Sequence, residues 1–331
     1  MNARPRLAGM SRGLWPRALL LVLATFVLVL GAAVADAAPG QPPATRAAGT
    51  AGAASTAGAA LAARAASAAT CNPKASSLRP SGPPQVTAGS FMARIRARGF
   101  LIAGVDQSTY HFGFLNPLNG KIEGFDIDMI RAVATAIFGN PDKVEYKAIS
   151  DAQRIPDITS GAVDIVAHTM TITCPRLQQV DFSSVYFDAA QRVLVLKNST
   201  AQSLAGLKGQ KVCATTGSDS LAVIAKDEAV SVAVPYWTDC LVLLQQGDVA
   251  AISTDDSILD GLAAQDPWTK LVGPRLTSEP YGLAISKQHP DFVRFVNAVL
   301  QQLRTNGQWK ASYAHWVGTP VPAPPPAQYG G

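Results

Sequence analysis

The chain has 331 residues, 48% of them hydrophobic, which is enough for one large domain or two modest ones. Its formal net charge of +5 sits entirely in residues 1–70, which hold six Arg and one Asp, while residues 71–331 balance 22 basic against 22 acidic side chains. A folded part without net positive charge lacks the electrostatic footprint of a nucleic-acid binder, and that class is set aside.

In chain order, Arg4, Arg6, Arg12 and Arg17 precede an apolar run from Ala18 to Val34, and Ala35-Asp36-Ala37 follows. Basic, then apolar, then small is the order of a secretory signal, so residues 1–37 are read as a signal peptide cleaved after Ala37. An uncleaved anchor is the other reading, because 17 apolar residues approach the length of a membrane span. Either way the body lies outside the cell, secreted or tethered to the envelope. Residues 38–70 are almost wholly Ala, Gly, Ser, Thr and Pro. They bury too little apolar surface to offset their ordering entropy and are expected to form a flexible tether. Residues 71–96 are a lead-in, and the Pro-rich stretch 318–331 is an extended tail.

From Phe100 the sequence alternates strand and helix. FLIAGVD (100–106) is a short apolar run that predicts a buried strand. GFDIDMIRAVATAIFG (124–139) has helical apolar spacing and ends in Gly139, a helix stop. Strands are expected at VEYKAI (144–149), VDIVAHT (163–169), RVLVLK (192–197), KVCATT (211–216) and AAIST (250–254). One helix starts near Asp219, and a long one runs from about Asp291 to Thr305. This alternation predicts an α/β architecture. DITSGAVDIVAHTMT (157–171) and LLQQGDVAAISTDD (243–256) repeat one pattern: a helix stops at Gly161 or Gly247, and a strand begins two residues later and ends polar. Two similar units imply two similar lobes. Open α/β sheets bind ligands at the carboxyl ends of their strands, so both polar ends would face one cleft.

The body contains no GxSxG, GxGxxG or GxxxxGK[ST] motif, and His111, His168, His289 and His315 lack metal-ligand spacing. No catalysis, metal or cofactor is implied. Export permits disulfides, and four cysteines allow three connectivities. The expected pairs are Cys71–Cys174 and Cys213–Cys240, the second within one lobe.

GFDIDM (124–129), TMTITCPR (169–176), VDFSSVYF (180–187), LKGQKV (207–212) and YGLAISK (281–287) occur in that order. Together they resemble the signature blocks of family 3 extracellular solute-binding proteins, the polar amino-acid receptors of ABC importers. Cys213, Cys240 and Thr254-Asp255-Asp256 look most similar to the actinobacterial GlnH-type glutamine/glutamate/aspartate-binding proteins. Two departures stand out: those relatives are commonly lipoproteins, yet no lipobox Cys is present, and Ala250 stands where the family usually has Asp.

The resemblance implies the periplasmic-binding-protein type II fold, two α/β lobes joined by a two-strand hinge. Residues 97–191 plus 283–317 would form one lobe and 192–282 the other, with crossovers near Gln191–Val193 and Pro280–Leu283. It places Arg176 on the ligand's α-carboxylate, where a planar guanidinium donates two parallel hydrogen bonds. Thr169 and Thr171 add contacts from the same strand end. Asp255, in competition with Asp256, receives the ligand ammonium, and Ser218 at a helix start supplies the second lobe's hold on the carboxylate. Asp106 falls near the ammonium end. Thr109 replaces an aromatic that stacks on the ligand, and Tyr110 is the neighbour that would substitute for it.

Arg154 is placed to face an acidic side chain, favouring glutamate or aspartate; if it is instead a solvated arginine, glutamine or another polar amino acid fits better. A charge-assisted hydrogen bond nets about 1.5–3 kcal/mol, whereas micromolar affinity needs about 8 kcal/mol, so both lobes must contribute. The expected protein is a monomeric, non-enzymatic receptor delivering its amino acid to ABC permease subunits. The alternatives are an extracellular sensor acting through a membrane partner, and a cyclohexadienyl dehydratase-like enzyme on the same fold.

Overall fold

A computed structural model describes residues 71–330. The signal peptide and tether expected over 1–70 lie outside the described residues. Helix α1 (Phe91–Arg98) is capped by Ser90, whose side chain accepts from the Ala93 N–H, and it ends at left-handed Gly99. Strand β1 (Leu101–Val105) leads into a small antiparallel sheet of β2 (Ser108–Thr109), β3 (Gly113–Leu115) and β4 (Ile122–Glu123). Helix α2 (Phe125–Phe138) stops at Gly139 with φ 71°, as its sequence predicts. Then come β5 (Val144–Ala148), α3 (Arg154–Ser160), β6 (Ile165–Ala167), the single turn α4 (Cys174–Leu177) and β7 (Asp181–Phe182).

The chain crosses to the second lobe through β8 (Phe187–Ala189). That lobe holds β9 (Gln191–Leu196), β10 (Lys211–Thr215), α5 (Ser220–Lys226), β11 (Val230–Val234), α6 (Trp237–Gln246), β12 (Ala251–Asp255), α7 (Asp256–Gln265) and β13 (Thr269–Val272). It returns through β14 (Glu279–Tyr281) to β15 (Ala284–Ile285), α8 (Pro290–Thr305) and α9 (Gln308–Trp316).

The two main sheets share one plan. In the first, β5-β1-β6 run parallel, β15 pairs antiparallel with β6 and β7 antiparallel with β15; in the second, β11-β10-β12 run parallel, β9 pairs antiparallel with β12 and β13 antiparallel with β9. Each parallel trio therefore has the order second, first, third along the chain. The sequence echo has a physical basis: Gly161 and Gly247 are left-handed helix ends with φ 75° and 76°. The next two N–H groups fold back onto one carbonyl, Ala162 and Val163 onto Asp157 in one lobe, Asp248 and Val249 onto Leu243 in the other. That wrap delays each strand to the fourth residue past its glycine, not the second.

Each lobe has its own core. In β6, Ile165 and Ala167 face one side of the first sheet and Val166 the other, the two-residue alternation of a strand buried on both faces. The second lobe packs Val193–Val195, Val212–Ala214 and Ile252 against Trp237, Leu241, Leu244, Leu259 and Leu262. Both expected disulfides are present. Cys213–Cys240 ties β10 to α6, and Cys71–Cys174 ties the start of the described chain to α4.

The hinge is the antiparallel pair β8–β14, in the register Glu279↔Ala189, Pro280↔Asp188, Tyr281↔Phe187. The first crossover thus precedes the expected Gln191–Val193, because the hydrogen-bonded pair forms before β9 enters its sheet. The folded body also reaches beyond Gly318, where the sequence expectation ended it. Tyr329 bridges Ser77, the Gly330 N–H donates to the Ser77 carbonyl, and Arg304 donates to the Pro325 carbonyl. Buried Asn297 of α8 ties the lead-in down as well: its Nδ2 donates to Ser77 Oγ and the Leu78 carbonyl while its Oδ1 accepts from the Ser184 N–H. The stretch 319–330 is extended, as its composition predicts, but it is docked on the first lobe.

Candidate ligand-binding cleft

The polar end of β6 sits over the hinge. The Ile172 N–H donates to the Pro280 carbonyl, the Gly282 N–H to the Met170 carbonyl, and Thr171 bridges Tyr281. Thr169 turns this segment with a positive φ of 43°. That conformation costs a β-branched residue energy and is held by a buried carboxylate. Asp126 of α2 accepts from the Thr169 N–H at 2.7 Å and from the Tyr186 hydroxyl at 2.6 Å. The Thr169 hydroxyl is buried and has no partner among the described residues.

Thr173 caps α4, accepting from the Arg176 N–H, so the helix start fixes the Arg176 backbone. Arg176 is 8% exposed. Its Nη1 donates to the Thr171 carbonyl at 2.7 Å and lies 3.4 Å from Asp219, and its Nη2 donates to the Gly217 carbonyl at 3.3 Å. Burial draws the guanidinium pKa down, opposed chiefly by Asp219.

Asp255 ends β12 and is buried, accepting from the Tyr281 hydroxyl at 2.5 Å. Asp256 takes the structural task at this helix start, accepting from the Ala190 and Ser257 N–H groups, which leaves Asp255 turned to the hinge. Burial, then the charges of Asp219 and Glu279, push the Asp255 carboxyl well above the ordinary range. Glu279 is also buried, with its pKa raised by burial and Asp219 and restrained by hydrogen bonds from Thr277 and Thr171. Asp219, Glu279 and Tyr281 therefore gather around Arg176 and Asp255, although the sequence alone assigned none of them this place. Glu279-Pro280 does stand directly before YGLAISK, whose first residue is Tyr281, and a charged residue beside a crossover was the available signal.

Four expected residues sit differently. Asp106 is consumed by its own turn, accepting from the Gln107 and Ser108 N–H groups and from the Ser108 and Thr109 hydroxyls. Tyr110 does not replace the missing aromatic wall. It is 38% exposed, its ring rests against His111 and Phe114, and Thr109 is the residue turned inward toward Asp106. Ser218 points both its N–H and its hydroxyl at the Thr215 carbonyl. Arg154 is not solvated and faces Asp151. It is 3% exposed, and its Nη1 lies 2.7 Å from Asp151 Oδ1. Its Nε donates to the Asp151 carbonyl, its Nη1 to the His168 carbonyl and its Nη2 to the Gly217 carbonyl.

The two lobes meet at these residues. The Thr215 hydroxyl donates to Asp151 Oδ2 across the cleft, and the Tyr110 carbonyl lies where a Cβ on Gly261 would be, at 2.5 Å. Strand ends from two lobes thus bring a buried guanidinium and several carboxylates together beside the hinge. Residues 101–319 match the bacterial extracellular solute-binding proteins, family 3.

This chain is a family 3 solute-binding protein.

Its fold is the two-lobed type II arrangement of that family, and its function is solute binding. The ABC transporter glutamine-binding protein GlnH of Bacillus subtilis (strain 168) is 36% identical over 229 residues, covering 68% of this chain and 84% of the relative. A glutamate/aspartate import solute-binding protein of Escherichia coli (strain K12) is 26% identical over 249 residues, covering 71% and 82%. Among solved structures, an ancestral arginine-binding protein bound to glutamine superposes with a TM-score of 0.63 at 34% identity, covering 67% of this chain and 99% of that one.

Proposed function

We propose that this solute-binding protein captures glutamine outside the cytoplasmic membrane and delivers it to an ABC importer. The observation that carries the choice of ligand is the pairing of Arg154 with Asp151. A side-chain carboxylate needs a cation of its own, and Arg154 was the candidate. With Arg154 neutralised, the cleft sets Arg176 alone against Asp219, Asp255 and Glu279. A neutral zwitterion suits that balance. Its carboxylate displaces Asp219 from Arg176, and its ammonium relieves the repulsion between Asp255 and Glu279. Glutamate adds a negative charge where like charges already repel.

The relative named for glutamine also has the higher identity, 36% against 26% for the one named for glutamate and aspartate. Two disulfides and a family of extracellular receptors support a location outside the membrane. A sensor acting through a membrane partner would use the same cleft; a neighbouring permease and ATPase gene favours transport. Calorimetric titration of ligand-stripped protein with Gln, Glu, Asp and Arg tests the choice. Glutamine should bind at least tenfold tighter than glutamate, and the reverse order would overturn the assignment.

A further inference from the structure

Beside the approach of the Tyr110 carbonyl to Gly261, two groups of contacts join the lobes. One surrounds Arg176 and belongs to the ligand clamp. The other joins Asp151 and Arg154 of the first lobe to Thr215 and Gly217 of the second. We propose that this second group is a latch: it holds the lobes shut independently of ligand side chain, and Arg154 sets residence time rather than specificity.

The latch is preorganised on both sides. In the first lobe, the Ser150 N–H and hydroxyl both donate to Gln153 Oε1 and the Gln153 N–H donates to the Ser150 carbonyl, a tight turn that fixes Asp151 and Arg154 three residues apart. His168 stands behind them, with Nε2 2.9 Å from the Ile149 carbonyl and Nδ1 3.5 Å from Asp151 Oδ1. Burial disfavours charge on Asp151, but Arg154, His168 and the Thr215 hydroxyl outweigh it and hold the carboxyl below its ordinary range. Asp151 therefore stays an anion and a strong acceptor.

In the second lobe, Thr215 closes β10 and is fully buried. Gly217 turns with φ 89°, and its carbonyl receives both Arg154 Nη2 and Arg176 Nη2 at 3.3 Å. A side chain at Gly217 has no room, since its Cβ would lie 2.7 Å from Ala152 Cα and 2.8 Å from Ala152 N. The backbones of the two lobes therefore touch at this point, and only glycine permits the contact.

The clamp and the latch meet only at the Gly217 carbonyl, which Arg176 and Arg154 both reach. A ligand that takes Arg176 leaves the Asp151–Thr215 and Arg154–Gly217 bonds in place, so the latch adds to closure whatever the ligand side chain. Loss of one hydrogen bond to a charged group corresponds to about tenfold to hundredfold in an equilibrium.

The test uses the full chain with one spectroscopic label on each lobe, at Lys121 and Lys226, and glutamine as the probe ligand. Thr215→Val and Arg154→Gln should each shift the label distances toward an open form. Each should also speed release of every amino acid that binds by about tenfold or more, by a common factor. Thr215→Ser, which keeps the hydroxyl, should restore wild-type behaviour, and Gly217→Ala should open the lobes by steric contact. Unchanged label distances in both Thr215→Val and Arg154→Gln would overturn the latch, as would a loss in Arg154→Gln confined to one ligand. If wild type binds no glutamine but the distances shift, the glutamine assignment fails and the latch stands.

Discussion

Asp126 offers the sharpest quantitative test of how the cleft is supported. It is fully buried, and burial raises its pKa from the ordinary 3.8 to about 6, against the lowering effect of its bonds from Tyr186 and the Thr169 N–H. Between those two values the unfolded chain has released the proton and the folded chain has not. Folding then becomes less favourable as pH rises through the window, and the contribution present below pH 3.8 is lost above about 6. A gap of roughly two units at 1.36 kcal/mol each amounts to about 3 kcal/mol. Asp126→Asn removes the titration and keeps the geometry, since the amide oxygen accepts from the Thr169 N–H and the amide nitrogen donates to the Tyr186 oxygen. Urea denaturation of both proteins at pH 4 and pH 7.5 reads the effect, and all other titrating groups cancel in the difference. The variant should gain about 2.5 kcal/mol on wild type between the two pH values, slightly less than the full gap because pH 4 already lies within the window. A stability difference that stays constant with pH would refute the claim that Asp126 is held as a buried, raised-pKa anchor.

Tyr281→Phe removes the hydroxyl that Asp255 accepts, leaving a buried carboxyl short of a donor. It should destabilise the fold by about 1–3 kcal/mol in chemical denaturation, and an unchanged midpoint would show that the bond contributes nothing. Removing Cys213–Cys240 with a double Ala substitution opens a loop of 27 residues. The chain-entropy relation gives a loss of about 3.5 kcal/mol, read as a lower denaturation midpoint; full retention of stability would contradict it. Truncation after Gly318 removes the Tyr329–Ser77 bridge and the Arg304–Pro325 bond, and should expose the lead-in to hydrogen exchange while leaving the second lobe protected.

Much of the architecture was legible because its signals are local. Helix stops at Gly139, Gly161 and Gly247 are single residues with a conformational requirement, and short apolar runs between them are buried strands. The strand end Thr169–Thr173 and Arg176 were legible as a motif, and the structure places them over the hinge. What stayed hidden depends on distant segments. Asp219, Glu279 and Asp255 come from three parts of the chain, and only folding brings their charges together around Arg176. Tyr110 looked available as an aromatic wall, but the Asp106 turn faces Thr109 inward and leaves Tyr110 on Phe114. The pairing of Arg154 was partly readable, since Asp151 lies three residues before it at a helix start. Its burial and its bond to Gly217 of the other lobe were not. The docking of the tail likewise rests on Ser77 and Arg304, which composition alone does not link to Tyr329 and Pro325.

The central claim is that Arg176 is the shared clamp for an amino acid's α-carboxylate in a closed cleft. Calorimetric titration of glutamine into ligand-stripped wild type and Arg176→Ala, with circular dichroism to confirm that both are folded, tests it most directly. Wild type should bind glutamine with micromolar or tighter affinity, and Arg176→Ala should show no heat of binding. Binding of similar strength in both proteins, or no amino acid bound by wild type, would contradict the claim.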